Sequence, residues 1–348
     1  MEHTTKPLDE QEIFCVKERI PELNTDSDIE SYANVHFFNG AILEASSKLH
    51  IGNQVAAENV LMKSNCICAI SQSNKRYLGD HFEVSTDYVA PNPMLFVALG
   101  FSEQRTKNLV YVLGVEDLPF DTYVTAYNLE GDNSALAVPK VGLMLKNGMK
   151  ISAEEAIKVL ADWFADNEYV SDYYEEFLIF DSIEDAIEEA ELSAVAREYG
   201  EFIEDDPWDQ IEAACLYEAA NEMIETLIMS SNVVYSLLHK KYEDAGIILA
   251  KLKLSWGLNE DAEIILCNDV GTPDTAMMTT IESFKENGIL ENMVTKPALD
   301  YYKSIGYKLG ELDQNLPKLP ENVLDQISDT YMYLAEAICD DLAFDIHM

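Results

Sequence analysis

Apolar and polar positions change their rhythm along this chain. From His36 to Val115 the pattern is mostly short β-prone runs broken by turns, such as Cys66-Ile67-Cys68-Ala69-Ile70 and Leu109-Val110-Tyr111-Val112-Leu113. A helix is predicted from Ser152, with Glu155 three residues on as a capping box and Ile157, Leu160 and Phe164 at helical spacing. A longer helix is predicted over Tyr217 to Tyr242, stopping before Gly246. A hairpin follows: Ile247 to Trp256, a turn through Gly257-Leu258-Asn259, then Glu263 to Val270. The last helix carries Pro320 in its first turn and Val323, Ile327, Tyr331, Leu334 and Ile338 on one face. Strands early and helices late predict an α+β protein of two lobes, a mainly β lobe over residues 1–120 and an α+β lobe over 121–348. The first residues, polar and without a sustained period, read as a loosely held arm.

Composition adds size. The chain has 348 residues, 48% of them hydrophobic, enough for a sizeable core. No run of about 18 apolar residues occurs, which predicts no membrane-spanning helix. The polar opening, with no apolar stretch before Ile13, predicts no signal-peptide core. Six scattered cysteines predict free thiols and a cytoplasmic location.

Charge changes the picture more. Lysine and arginine number 23 against 64 acidic residues, a formal net of -41. Such a field repels phosphate backbones, so direct nucleic-acid binding by the general surface is not expected. Arginine is confined to Arg19, Arg76, Arg105 and Arg197. Between Lys158 and Lys240 stand 22 acids and one base, Arg197, about half of the net charge. The stretch is also rich in aromatic and aliphatic residues, which argues for folded helices with acidic outer faces rather than disorder. A sharper reading is a surface that imitates nucleic acid and occupies a basic, nucleic-acid-binding partner.

Several nucleotide and metal motifs are absent: G-x-x-x-x-G-K-[ST], G-x-G-x-x-G, H-E-x-x-H and C-x-x-C. Cys66 and Cys68, two apart on an expected strand, would share a face, a weak metal signal beside buried thiols. The chemistry sits in the hairpin. In Lys251-Leu252-Lys253-Leu254-Ser255-Trp256, alternation puts Lys251, Lys253 and Ser255 on one face. The return strand reaches Asn268 and Asp269 just before Gly271-Thr272-Pro273-Asp274-Thr275. A lysine beside carboxylates can serve a nucleotide, the ammonium on phosphate and the carboxylates on Mg²⁺. An amphipathic hairpin with one wet face is the plainer alternative.

The same residues resemble the SAICAR synthetase family, ATP-dependent ligases of purine biosynthesis. The family strand A-G-I-x-L-x-D-x-K-x-E-F-G is matched by Ala245 to Gly257, and its D-E-x-x-[ST]-P-D-[ST]-x-R by Asn268 to Met277. Leu118-Pro119-Phe120-Asp121-Thr122-Tyr123-Val124 resembles its I-P-L-E-x-x-V hinge, Asp206-Pro207 its D-P, and Leu319 to Val323 its closing L-P-x-x-V. The resemblance implies a two-lobed fold with an ATP-type cleft between the lobes, nucleotide binding at Lys253 and Asp121, Mg²⁺ at Asp269 and Asp274, and ATP as cofactor. The likeness also breaks at the site. Lys251 stands at the motif's aspartate, Ser255 at its glutamate, Asn268 at an acid, Met277 at an arginine, and Thr125 where V-R-N has its arginine. No catalytic residue is assigned. Three functions compete: a repurposed scaffold with a degraded site acting through its acidic surface, an ATP-dependent amide-forming ligase with altered chemistry, and a nucleotide sensor without turnover.

Overall fold

Several of the described helices begin where the sequence supplies its own caps. Ser152 and Glu155 exchange hydrogen bonds, Glu155 N–H to Ser152 Oγ at 3.2 Å and Ser152 N–H to Glu155 Oε2 at 2.8 Å. Ser193 accepts from Ala196 N–H, and Asp206, followed by Pro207, accepts from Trp208 N–H. Each supplies an acceptor to a donor that the first helical turn leaves without a partner. The structure is a computed structural model and describes residues 48–52, 54–81, 116–127, 136–167, 182, 192–204, 206–258, 264–267, 270–307 and 316–339.

The elements run β1 (Leu49–Ile51), β2 (Gln54–Ala57), α1 (Lys63–His81), β3 (Glu116–Tyr127), β4 (Leu136–Leu145), β5 (Lys150–Ile151), α2 (Ala153–Asn167), α3 (Ala194–Ile203), α4 (Pro207–Asp244), β6 (Ile247–Leu258), β7 (Ile264–Cys267), β8 (Ala276–Thr280), α5 (Ile281–Asn287), α6 (Lys296–Ser304) and α7 (Glu321–Ile338). The class is mixed α+β, as expected. A six-stranded antiparallel sheet has the order β5-β4-β3-β6-β7, and β8 takes the remaining length of β6 beside β7. Strand β3 passes without a break through residues 120 and 121, where the expected boundary between lobes falls.

The sheet has two unlike faces. Phe120, Thr122 and Val124 of β3 and Leu252, Leu254 and Trp256 of β6 are fully buried on the inner face. Helix α4 lies against that face, fastened by a polar string. Trp256 Nε1–H donates to Thr122 Oγ1 at 2.8 Å, Thr122 and Ser231 share a 2.8 Å hydroxyl bond, and Ser231 donates to Leu227 O at 2.6 Å. Tyr235 adds a bond to Leu249 O at 2.7 Å. Helix α3 crosses α4 so closely that a Cβ on Gly200 would run into the Gln210 carbonyl oxygen.

Three expectations change. The run Cys66 to Ile70 is not a strand but lies inside α1. Cys66 and Cys68 are therefore about 200° apart around a helix axis and do not share a face. The long helix is longer than expected, starting at Pro207 rather than Tyr217. The capping box, the strand over Ile247 to Trp256 and the five buried positions of α7 stand as read. Leu109 to Leu113 and residues 1–25 lie outside the described residues. No helix among the described residues is long and apolar enough to cross a membrane.

Candidate anion-binding face

Alternation along β6 leaves Lys251, Lys253 and Ser255 half-buried opposite the inner leucines, and cross-strand register decides what joins them. Ser255 pairs with Asp121, Lys253 with Tyr123 and Lys251 with Thr125. On the other side of β3, Asp121 pairs with Met144, Tyr123 with Gly142 and Thr125 with Lys140. Lys150 of β5 pairs with Met144. Lys146 begins the tight turn through Gly148, whose φ of 89° a residue with a Cβ resists. Four lysines, Lys140, Lys150, Lys251 and Lys253, thus stand on the outer face in the rows from Asp121 to Thr125, and Lys146 of the adjoining turn joins them.

That carboxylate is sunk. Asp121 is 2% exposed, and its two oxygens are divided between two cations: Lys146 Nζ at 2.7 Å from Oδ1 and Lys253 Nζ at 2.8 Å from Oδ2. Both lysines remain 40% exposed. Burial by itself would raise the Asp121 carboxyl, but hydrogen bonds and charge from Lys146 and Lys253 hold it below the ordinary carboxylate range. The trio carries one net positive charge, and both lysine side chains stay partly open to solvent.

The next row is built on a missing side chain. Gly142 has no Cβ, and one placed there would overlap the Tyr123 ring, so the ring lies across β4. Lys150 Nζ stands 5.0 Å and Lys251 Nζ 5.8 Å from the centre of that ring, within cation–π range.

The Gly271 to Thr275 loop is stitched down separately. Its Gly271 has φ 66°. Asn74 Nδ2–H donates to Val270 O at 2.8 Å and to Tyr242 Oη at 2.9 Å, and the Tyr242 hydroxyl donates to Gly271 O. Lys241 Nζ, itself buried, reaches Ser73 Oγ at 2.7 Å and Asn74 Oδ1 at 3.1 Å. Thr275 O accepts from Lys253 N–H at 2.7 Å, tying the loop to β6. Asp274 faces two helices. Its Oδ2 pairs with Lys63 of α1 and its Oδ1 accepts from the Tyr331 hydroxyl of α7 at 2.7 Å. Lys63 is 1% exposed and Asp274 33%. Burial, reinforced by Asp274, pushes the Tyr331 phenol well above its ordinary range.

The structure therefore brings Lys253 and Asp121 together and gives Asp274 to a different lysine. Asp269 and Asn268 lie outside the described residues. As a Mg²⁺ site the described residues fit poorly. Both oxygens of Asp121 and both of Asp274 are already paired with protein donors, and no three His, Cys, Asp or Glu side chains gather to hold a metal among the described residues. The sequence pattern had singled out Lys251 and Lys253 but missed Lys146, Lys150, Tyr123 and Gly142. The Asn147-Gly148 turn was a usable signal, since it folds the Lys146 and Lys150 ends of a hairpin back together.

Comparison with known proteins points the same way as the fold. A family model for SAICAR synthetase matches residues 197–299. The phosphoribosylaminoimidazole-succinocarboxamide synthase of Corynebacterium urealyticum is 25% identical over 129 residues, 35% of this chain and 41% of its own length. That of Corynebacterium diphtheriae is 26% identical over 152 residues, 42% of this chain and 48% of its own. The chain thus spans less than half the length of these relatives in sequence. In structure the likeness is broader. The SAICAR synthase of Saccharomyces cerevisiae, solved in complex with SAICAR, matches with a TM-score of 0.52 at 14% identity, over 85% of this chain and 87% of that one. A second SAICAR synthase structure gives 0.53 over the same shares.

Proposed function

The chain is a diverged member of the SAICAR synthetase family, and on that premise we propose that the lysine-lined face of its sheet binds an oligophosphate, a purine nucleoside triphosphate first of all. The observation that supports this reading is the Lys146–Asp121–Lys253 bridge. A sunk carboxylate holds two partly exposed lysines in place, and such pre-ordered donors bind anions at a reduced entropic cost. Lys253 meets phosphate oxygens, while Asp121 positions the lysines rather than touching the ligand. Family membership makes ATP the nucleotide to test. It also makes an amide-forming ligation the reaction to test, on a carboxylate activated by phosphoryl transfer.

A thermal-shift titration with ATP, beside Lys253→Ala, decides between a live and a dead face. Ligand binding to the native state alone adds about 2.7 kcal/mol of stability at a hundredfold excess over Kd and so raises the melting temperature. A shift in the parent that is lost in the variant supports the reading; no shift at millimolar ATP refutes it. Turnover of ATP with a carboxylate and an amine separates a ligase from a sensor.

A second reading rests on the opposite side of the molecule. Glu154, Glu155, Asp162 and Asp166 of α2, Glu198 and Glu201 of α3, and Asp209, Glu222 and Glu225 of α4 are exposed. This acidic helical layer suits a basic, nucleic-acid-binding protein partner, with ligation lost and the scaffold repurposed. Salt-sensitive capture of a purified basic nucleic-acid-binding protein, abolished by Glu222→Lys with Glu225→Lys, supports it; equal retention by those variants argues against it.

A further inference from the structure

The poor fit of the described residues to a divalent cation and the excess of lysine on the same face belong together. Rows Asp121 to Thr125 and the adjoining turn hold five lysines among the described residues, and two of them, Lys146 and Lys253, are neutralised in part by Asp121. Lys150 and Lys251 flank the Tyr123 ring, which Gly142 leaves room for. Residues 121 and 123 are same-face neighbours, about 7 Å apart along β3. Two pairs of lysines therefore flank neighbouring same-face positions of one rigid strand, a spacing on the scale of an oligophosphate chain.

Phosphate needs positive charge from somewhere. In many nucleotide sites a Mg²⁺ held by carboxylates supplies part of it and bridges the phosphates. Here Asp274, the described carboxylate that the motif would offer to a metal, has both oxygens engaged by Lys63 and Tyr331. Asp121 has both engaged by lysines. Freeing either would strand a buried or partly buried ammonium.

We infer that this face takes an oligophosphate without a divalent cation, Lys150 and Lys251 on either side of the Tyr123 ring providing the positive charge that a metal would otherwise bring. The inference rests on the reading that this face binds oligophosphate at all. Its consequence is a reversed metal response. Mg²⁺ bound to free ATP or tripolyphosphate cancels two of the ligand's negative charges, and lysines attract the remainder less strongly. Lys251 and Lys150 contact the ligand, whereas Tyr123 and Gly142 set where those contacts fall.

Calorimetric titration of the full chain with inorganic tripolyphosphate, and separately with ATP, tests this in EDTA and again with excess Mg²⁺. Binding in EDTA is expected, weakened several-fold by Mg²⁺. Lys251→Gln and Lys150→Gln are each expected to weaken the EDTA affinity about five- to tenfold, the range for one partly exposed charged contact. Lys253→Gln is expected to weaken binding whether or not Mg²⁺ is present. The comparison of parent protein in the two buffers needs no variant, so a variant that misfolds leaves the test intact. Binding that requires Mg²⁺ overturns the inference while leaving the oligophosphate reading in place. Unchanged EDTA affinity in a folded Lys251→Gln also overturns it. Absence of binding in both buffers removes the oligophosphate reading and this inference with it.

Discussion

Exchanging Asp274 for asparagine leaves the Lys63 ammonium beside a neutral amide, in a position where only 1% of its side chain reaches water. An unpaired buried charge of this kind costs about 3–5 kcal/mol. Asp274 is 33% exposed, so some water can enter and the low end of that range is expected. With a urea m-value of about 3 kcal/mol/M for a chain of this size, the unfolding midpoint drops by about 1 M. Lys63→Met should cost less, because the carboxylate left behind is the partner that water can reach and Tyr331 still donates to it. Combining Lys63→Met with Asp274→Asn removes the stranded charge, so the double variant should recover most of the loss and show a coupling of about 2 kcal/mol or more. Urea melts of the four proteins, followed by tyrosine and tryptophan fluorescence, provide the cycle. A double variant no more stable than Asp274→Asn would refute the reasoning, as would an Asp274→Asn midpoint equal to that of the parent.

Three further outcomes follow from the same geometry. Asp121 has a folded-state carboxyl held below its unfolded value, so the stability it adds is present above about pH 4 and fades as pH falls through the lowered value; the urea-midpoint gap between parent and Asp121→Asn should narrow from pH 7 to pH 3, and a constant gap would contradict the bridge. Gly200→Ala presses a methyl group into the Gln210 backbone, where nothing can swing aside, and should cost about 1–3 kcal/mol in a denaturant melt; an unchanged melt would mean that α3 and α4 separate easily. At low ionic strength the Debye length of about 30 Å lets an incoming anion feel the whole acidic protein, whereas at physiological salt, about 8 Å, it feels mainly the lysines. Stopped-flow association of tripolyphosphate should therefore accelerate as salt rises from about 10 to 150 mM, and a steady fall over that range would show that the acidic layer is not felt.

How far the chain could be read from its residues alone depended on whether a feature was local. The capping box at Ser152 and Glu155 and the alternation along β6 are contained in a few neighbouring positions, and both stand in the structure. Helix α1 was misread as strand for a physical reason. Its buried positions Lys63, Cys66, Ile67, Ile70, Ser71, Asn74 and Leu78 do follow helical spacing, but three of the seven are polar. A hydrophobic period cannot register a face made partly of buried lysine, serine and asparagine, and the visible Cys-Ile-Cys-Ala-Ile run suggests a strand instead. Resemblance to a family drew attention to Lys253 and Asp121, which the structure joins. Nothing in the order of residues pairs Lys63 with Asp274, 211 positions away, or Tyr331 with Asp274, 57 away. Those partnerships depend on how α1 and α7 meet the loop after β7.

Helix α4 is 38 residues without interruption, a rod of about 57 Å. Its neighbours at one end are α2 and α3 and at the other the sheet and α1. A single residue gained or lost near its middle would turn everything beyond by about 100°. Ser231, Tyr235, Lys241 and Tyr242 would then leave their partners together. By this geometry α4 tolerates exchanged residues far better than a change of length, and the connections on either side are where the chain has room to lengthen or shorten.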